Sequence, residues 1–109
     1  MPPVTQAASF AEVSTRSEFI SSVAGRQISE GDEQGGYFIM NSDGTLAGVS
    51  EGNAYTGTWT WENGMWCRAF DRNTGQTEAK CRAIAVNADQ IRFTKPENEN
   101  GEVQFYDWQ

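Results

Sequence analysis

The stretch TGTWTWENGMWC, residues 56–67, decides the fold. It alternates Thr58, Trp59, Thr60 and Trp61, breaks at Asn63-Gly64, and resumes with Met65, Trp66 and Cys67. Alternation of period two is the pattern of a half-buried strand. Asn-Gly is the strongest short hairpin signal, because both turn positions need positive φ. A two-residue turn closing on Glu62 and Met65 places Trp61 opposite Trp66, Thr60 opposite Cys67 and Trp59 opposite Arg68.

Working outward, Asn73-Thr74-Gly75 suits a three-residue loop closing on Arg72 and Gln76. Five steps back from each closing residue set Cys67 opposite Cys81. Antiparallel alternation makes this a non-hydrogen-bonded pair, a separation that a disulfide tolerates. The first turn makes Cys67 hydrogen-bonded to Thr60 and leaves its other side in the required state. Two unrelated turns thus agree on a Cys67–Cys81 disulfide and, with it, on an oxidising compartment, periplasmic or secreted.

The same register sorts side chains by face. Trp59, Trp61, Trp66, Arg68, Phe70, Lys80, Arg82 and Ile84 share one face; Thr58, Thr60, Met65, Cys67, Ala69, Ala79, Cys81 and Ala83 share the other. Three cations beside three indoles, in a chain with net charge -7, form a candidate site for a small anionic or amphipathic ligand, with guanidinium over indole as the expected contact. Its members are Trp59, Trp61, Trp66, Arg68 and Arg82. Indoles also supply core area in small β-proteins, and arginine stems cover their edges. The register leaves open which face points inward; with the small residues inside, the indoles would form an exposed patch for a protein partner.

Elsewhere, short apolar or alternating runs are separated by turn chemistry such as GDEQGG, NSDG, SEGN, NADQ and KPENENG. The strands expected are 26–29, 37–41, 45–49, 55–61, 65–72, 77–86, 91–95 and 103–108. Short connections make them an antiparallel meander of about eight strands. Such a sheet removes its edges by closing into a small up-and-down barrel, with a curled sheet as the alternative. Tyr106 and Trp108, on one face of the last run, are placed to close it against the first. One helix is expected at about 15–24, opened by the capping box Thr15/Glu18 and closed near Gly25. Residues 1–13 read as a flexible tail, and 14–109 as a single domain.

Composition narrows the function. The chain contains no histidine, which removes the usual general base of hydrolases and the commonest metal ligand. Two cysteines make no structural zinc site. Asp71 to Gly75 with Glu78 lacks the ligand spacing of a calcium loop and reads as a turn; Glu97 to Glu102 reads as a solvated acidic loop. No cofactor and no metal are therefore expected. Negative net charge argues against nucleic acid, and no apolar run approaches the roughly 18 residues of a membrane span. Met1-Pro2-Pro3 leads into a polar stretch with neither a charged n-region nor an apolar h-region, as in the mature form of an exported protein or in a cytosolic protein with two free thiols.

Residues 58–66 resemble the tryptophan-zipper hairpin peptide, with Arg68 where that pattern has a fourth tryptophan; the resemblance implies cross-strand indole packing. Gly57, Trp59, Gly64, Trp66, Cys67 and Cys81 together resemble a pattern of small exported bacterial β-proteins, similar in layout to calycin-type barrels. That class includes lipocalins and some secreted protease inhibitors, although the G-x-W that lipocalins carry ahead of the first strand is missing. What the layout implies is binding or inhibition rather than catalysis. The expectation is a non-enzymatic exported binding protein; the alternative is a protein-interaction module such as a hydrolase inhibitor.

Overall fold

Asn63 and Gly64 both take positive φ, 52° and 76°, and the hairpin they turn has the expected register, with Trp61 opposite Trp66 and Thr60 opposite Cys67. Its arms are the two longest strands in a computed structural model that describes residues 9–109. Ten strands are present among the described residues: β1 (Ala11–Val13), β2 (Gln27–Ser29), β3 (Tyr37–Met40), β4 (Thr45–Ser50), β5 (Asn53–Glu62), β6 (Met65–Arg72), β7 (Gly75–Gln76), β8 (Lys80–Val86), β9 (Gln90–Thr94) and β10 (Val103–Asp107). The helix α1 spans Arg16–Ser22.

The protein is mainly β, and all pairings are antiparallel. The sheet runs β10-β9-β8-β6-β5-β4-β3-β2, the expected meander. It nearly closes: Trp108 bridges to Ile28, the Gln109 N–H donates to the Gln27 carbonyl at 3.0 Å, and Arg26 lies over the Trp108 ring at 3.5 Å. A second turn with two positive φ values, Glu51 at 50° and Gly52 at 82°, joins β4 to β5.

Two local expectations are corrected. The hairpin after β6 closes on Arg72 and Gly75, not on Arg72 and Gln76. The strand expected at 77–86 is interrupted, with β7 ending at Gln76 and β8 starting at Lys80. Cys67 still pairs with Cys81, because the one-residue difference is absorbed in the gap, where the Thr77 Oγ1 replaces a backbone acceptor for the Phe70 N–H at 2.8 Å. The disulfide is formed, with Cα atoms 3.9 Å apart.

A further correction concerns the tail. Its last residues, Ala11–Val13, are β1, which pairs with β8 through Ala11–Val86, Glu12–Ala85 and Val13–Ile84. β6 runs beside β8 only from Arg68–Lys80 to Trp66–Arg82, and β1 satisfies the β8 backbone where β6 has ended. The first eight residues of the expected tail lie outside the described residues.

α1 begins at the capping box: Glu18 N–H donates to Thr15 Oγ1 at 3.1 Å, and Thr15 N–H donates to Glu18 Oε1 at 3.0 Å. The helix is shorter than expected, ending at the C-cap Val23, and Gly25 follows at φ 82°. Its apolar side, Phe19 and Val23, is fully buried and joins Ile28, Met40, Trp59, Ile84 and Ile91 in one core. α1 thereby plugs one end of the barrel.

Candidate functional site

The tryptophan face points inward: Trp59 is 3% exposed, Trp66 6% and Arg82 8%. The five residues expected at one site nevertheless divide into two groups. Trp59 and Trp61 pack on Phe19 of α1, with ring centroids 4.8 and 5.4 Å apart, and the Trp59 indole N–H donates to the Asn41 carbonyl at 2.9 Å. They belong to the plugged end. Trp66, Arg68 and Arg82 instead line a cavity of about 460 Å³ in the other half of the barrel, within the size range of small-molecule sites.

Cross-strand indole packing is not what the hairpin forms: among the described residues the indoles meet other aromatic rings only as phenylalanines, Phe19 for Trp59 and Trp61, Phe93 for Trp66. Guanidinium over indole is also placed differently. Arg16 and Arg26 lie over Trp59 and Trp108, whereas Arg68 lies over Phe70 at 4.8 Å. Neither Arg68 nor Arg82 lies over an indole, and both line the cavity.

The cavity wall is built by strand alternation. Phe38 and Met40 from β3, Leu46 from β4, Phe70 from β6 and Phe93 from β9 supply an apolar lining. Glu30, Ser50, Arg72 and Gln104, all at or beside strand ends, also line it. This polar end lies away from α1, which sits against Trp61 near the Asn63-Gly64 turn.

Register brings the two arginines together, because Trp66–Arg82 and Arg68–Lys80 are the pairs on either side of the disulfide. Burial, reinforced by the like charge of Arg82, pushes the Arg68 guanidinium below its usual value. Arg82 donates from one guanidinium nitrogen to its neighbour's carbonyl, Cys81 O, at 2.8 Å. Its carboxylate partner is Glu99, at 3.6 Å and 31% exposed at the rim, a distance that is an ion pair without being a close hydrogen bond. The buried Arg82 and the half-buried Arg68 thus share one loosely held carboxylate. The Trp66 indole N–H, also buried, has no hydrogen-bond partner. A buried donor left unpaired costs about 1 to 3 kcal/mol, and this is a site where an acceptor would be stabilised.

Sequence reasoning missed Glu30, Tyr55, Tyr106 and Glu99. Tyr55 reaches across β4: a Cβ on Gly48 would stand 2.5 Å from the Tyr55 Oη. Only glycine leaves room there, and the Tyr55 hydroxyl donates to Glu30 Oε2 at 3.3 Å. Burial raises the Glu30 pKa against hydrogen bonds from Tyr55 and Ser50, which lower it. Burial raises Tyr106 too, and it feels Glu30 on one side and Arg82 and Arg68 on the other. The signal available for Tyr106 was its shared face with Trp108; Glu30 and Glu99 sit in polar loops and carried none.

Among the described residues, no three Cys, Asp or Glu side chains gather as a cation site, and no helix is long and apolar enough to cross a membrane. Compared with protein-family models, with curated proteins and with solved structures, the chain matches none of them.

Proposed function

We propose that this protein is a non-enzymatic binding barrel of the periplasm or the extracellular space that holds a small anionic or amphipathic molecule in the half of the barrel left open by α1. The observation that carries this reading is the pair Arg68 and Arg82, lining a cavity with an apolar body and having one loose carboxylate partner. The unpaired Trp66 N–H and the disulfide that holds the two arginine-bearing strands support it. Octanoate and para-toluate, titrated into the protein, are expected to change its tryptophan fluorescence. Trp66→Phe abolishes most of the change, because Trp59 and Trp61 lie at the plugged end. Arg68→Ala and Arg82→Ala each weaken binding about tenfold or more, the scale of a hydrogen bond to a charged group. No response across a panel of carboxylates, sulfates and lipids would remove the proposal.

A second reading, a protein-interaction module such as a hydrolase inhibitor, is favoured by the outer side of β10. Val103 and Phe105 are 42% and 53% exposed there, and Phe105 meets Phe10 at 5.6 Å beneath Arg92. Stoichiometric inhibition of a secreted hydrolase, lost in Phe105→Ser and unaffected by Arg68→Ala, would favour this reading over the first.

A further inference from the structure

Glu30 and the arginine pair Arg68 and Arg82 line the cavity from opposite walls, and Asp71 and Arg72 line it from the end of β6. In the sheet order β10-β9-β8-β6-β5-β4-β3-β2, closed by the Ile28–Trp108 bridge, β6 lies four strands from β2 in either direction. Arg68 is on β6 and Arg82 on its neighbour β8, while Glu30 directly follows β2. All three line the same cavity. Tyr106 on β10, between the two walls, feels the charges of both. The body of the cavity between the walls is apolar, from Phe38, Met40, Leu46 and Phe93.

Glu30 is held in place. Tyr55 crosses over Gly48 to donate to one of its carboxylate oxygens, and Ser50 also hydrogen-bonds it. No salt bridge to Glu30 occurs among the described residues. An anionic carboxylate at the edge of an apolar cavity, supported by neutral donors alone, is built to take a cation or a strong donor. Facing it, the arginine pair has the converse deficit, with Glu99 as its one loose partner.

Resting on the reading of this cavity as a ligand site, we propose that its ligand is bipolar: an apolar body with an anionic group that docks on Arg68 and Arg82, and an ammonium group that docks on Glu30 across the barrel. A simple fatty acid satisfies the arginine wall and leaves Glu30 facing apolar carbon. A molecule with charges at both ends neutralises both walls, and only such a molecule gains from the separation that strand order imposes.

The test compares matched probes by calorimetry on the intact oxidised protein: octanoate against ω-aminooctanoate, and para-toluate against para-(aminomethyl)benzoate. In each pair the second probe adds one amine. In the wild type, at least one amine-bearing probe binds about tenfold or more tighter than its partner, as expected for a charge-assisted hydrogen bond out of water. Glu30→Gln, which keeps the side-chain shape and an oxygen to accept from Tyr55, erases that advantage, while the affinity for octanoate and para-toluate holds or rises because a negative charge has left the cavity. Amine-bearing probes that bind no better than their partners, or an advantage that survives in Glu30→Gln, overturn the bipolar ligand and leave the binding barrel standing. Binding by none of the four probes overturns both.

Discussion

Glu99 is the residue whose position is most informative about how the arginine pair is kept available. It comes from a short 3-10 turn, Glu97–Glu99, that precedes β10, and its carboxylate stands 3.6 Å from Arg82. A partly exposed ion pair of this kind contributes about 0.2 to 1 kcal/mol. It offsets charge repulsion in the empty site without competing strongly with a ligand carboxylate for the same guanidinium. Glu99→Gln is therefore expected to raise the affinity for octanoate by about two- to fivefold, with the gain shrinking as salt is added. Calorimetric titration of the two proteins at low and high salt checks this. Unchanged or weaker binding in the variant would mean that Glu99 does not face the anion.

At the scale of the element, β6 and β8 share only three residue pairs, and the disulfide is the middle one. β8 then leaves β6 to pair with β1 and β9, so the crosslink secures a short ladder that carries the arginine pair. Replacing both cysteines by alanine is expected to lower the unfolding free energy by about 3 kcal/mol, the chain-entropy value for a loop of about 15 residues. Urea unfolding of the oxidised protein and the variant measures it, and equal midpoints would show the bond to be structurally idle. This ladder also shows what was legible in the sequence. Asn63-Gly64 set the register of β5 on β6 through a backbone demand that two residues alone satisfy, whereas the pairing of Cys67 with Cys81 was read from the Asn73-Thr74-Gly75 turn, which closes one residue earlier than expected, and holds because the gap before β8 absorbs the difference. The gap at Thr77, Glu78 and Ala79 was not legible, because no glycine or proline marks it and a threonine hydroxyl stands in for the lost backbone bond. β1 was hidden for a different reason: three residues make no period, and their partner edge exists only because β6 ends early. The division of the indoles was equally out of reach, since Trp59, Trp61 and Trp66 differ in their long-range neighbours, α1 for two of them and the cavity for the third.

At the scale of the molecule, aspartates in the exposed turns and Glu30 at the cavity give stability two opposing dependences on pH. Asp32, Asp43 and Asp71 are held below the ordinary aspartate value of 3.8, chiefly by hydrogen bonds from the Glu51 N–H, the Thr45 hydroxyl and the Gln76 amide respectively. Their folded forms bind protons less readily than the unfolded chain, so their contribution is present above about 3.8 and is lost as the pH falls through the depressed values. Glu30 has the opposite sign. Burial, with the nearby Asp32 charge, raises it above 4.5 against the hydrogen bonds of Tyr55 and Ser50, and Tyr106 faces it from β10. The folded state there binds its proton more tightly than the unfolded chain does. The contribution of protonated Glu30 is complete below about 4.5 and is lost as the pH rises from there through the raised folded value. The thermal midpoint is thus expected to pass through a maximum in the mildly acid range. Glu30→Gln, a fixed mimic of the protonated form, removes the fall on the alkaline side and moves the maximum toward neutral pH, while the acid limb set by the three aspartates stays where it is. Calorimetric melting of both proteins across this range decides the matter: a variant curve parallel to that of the wild type would show that Glu30 ionises as freely in the folded barrel as in the unfolded chain.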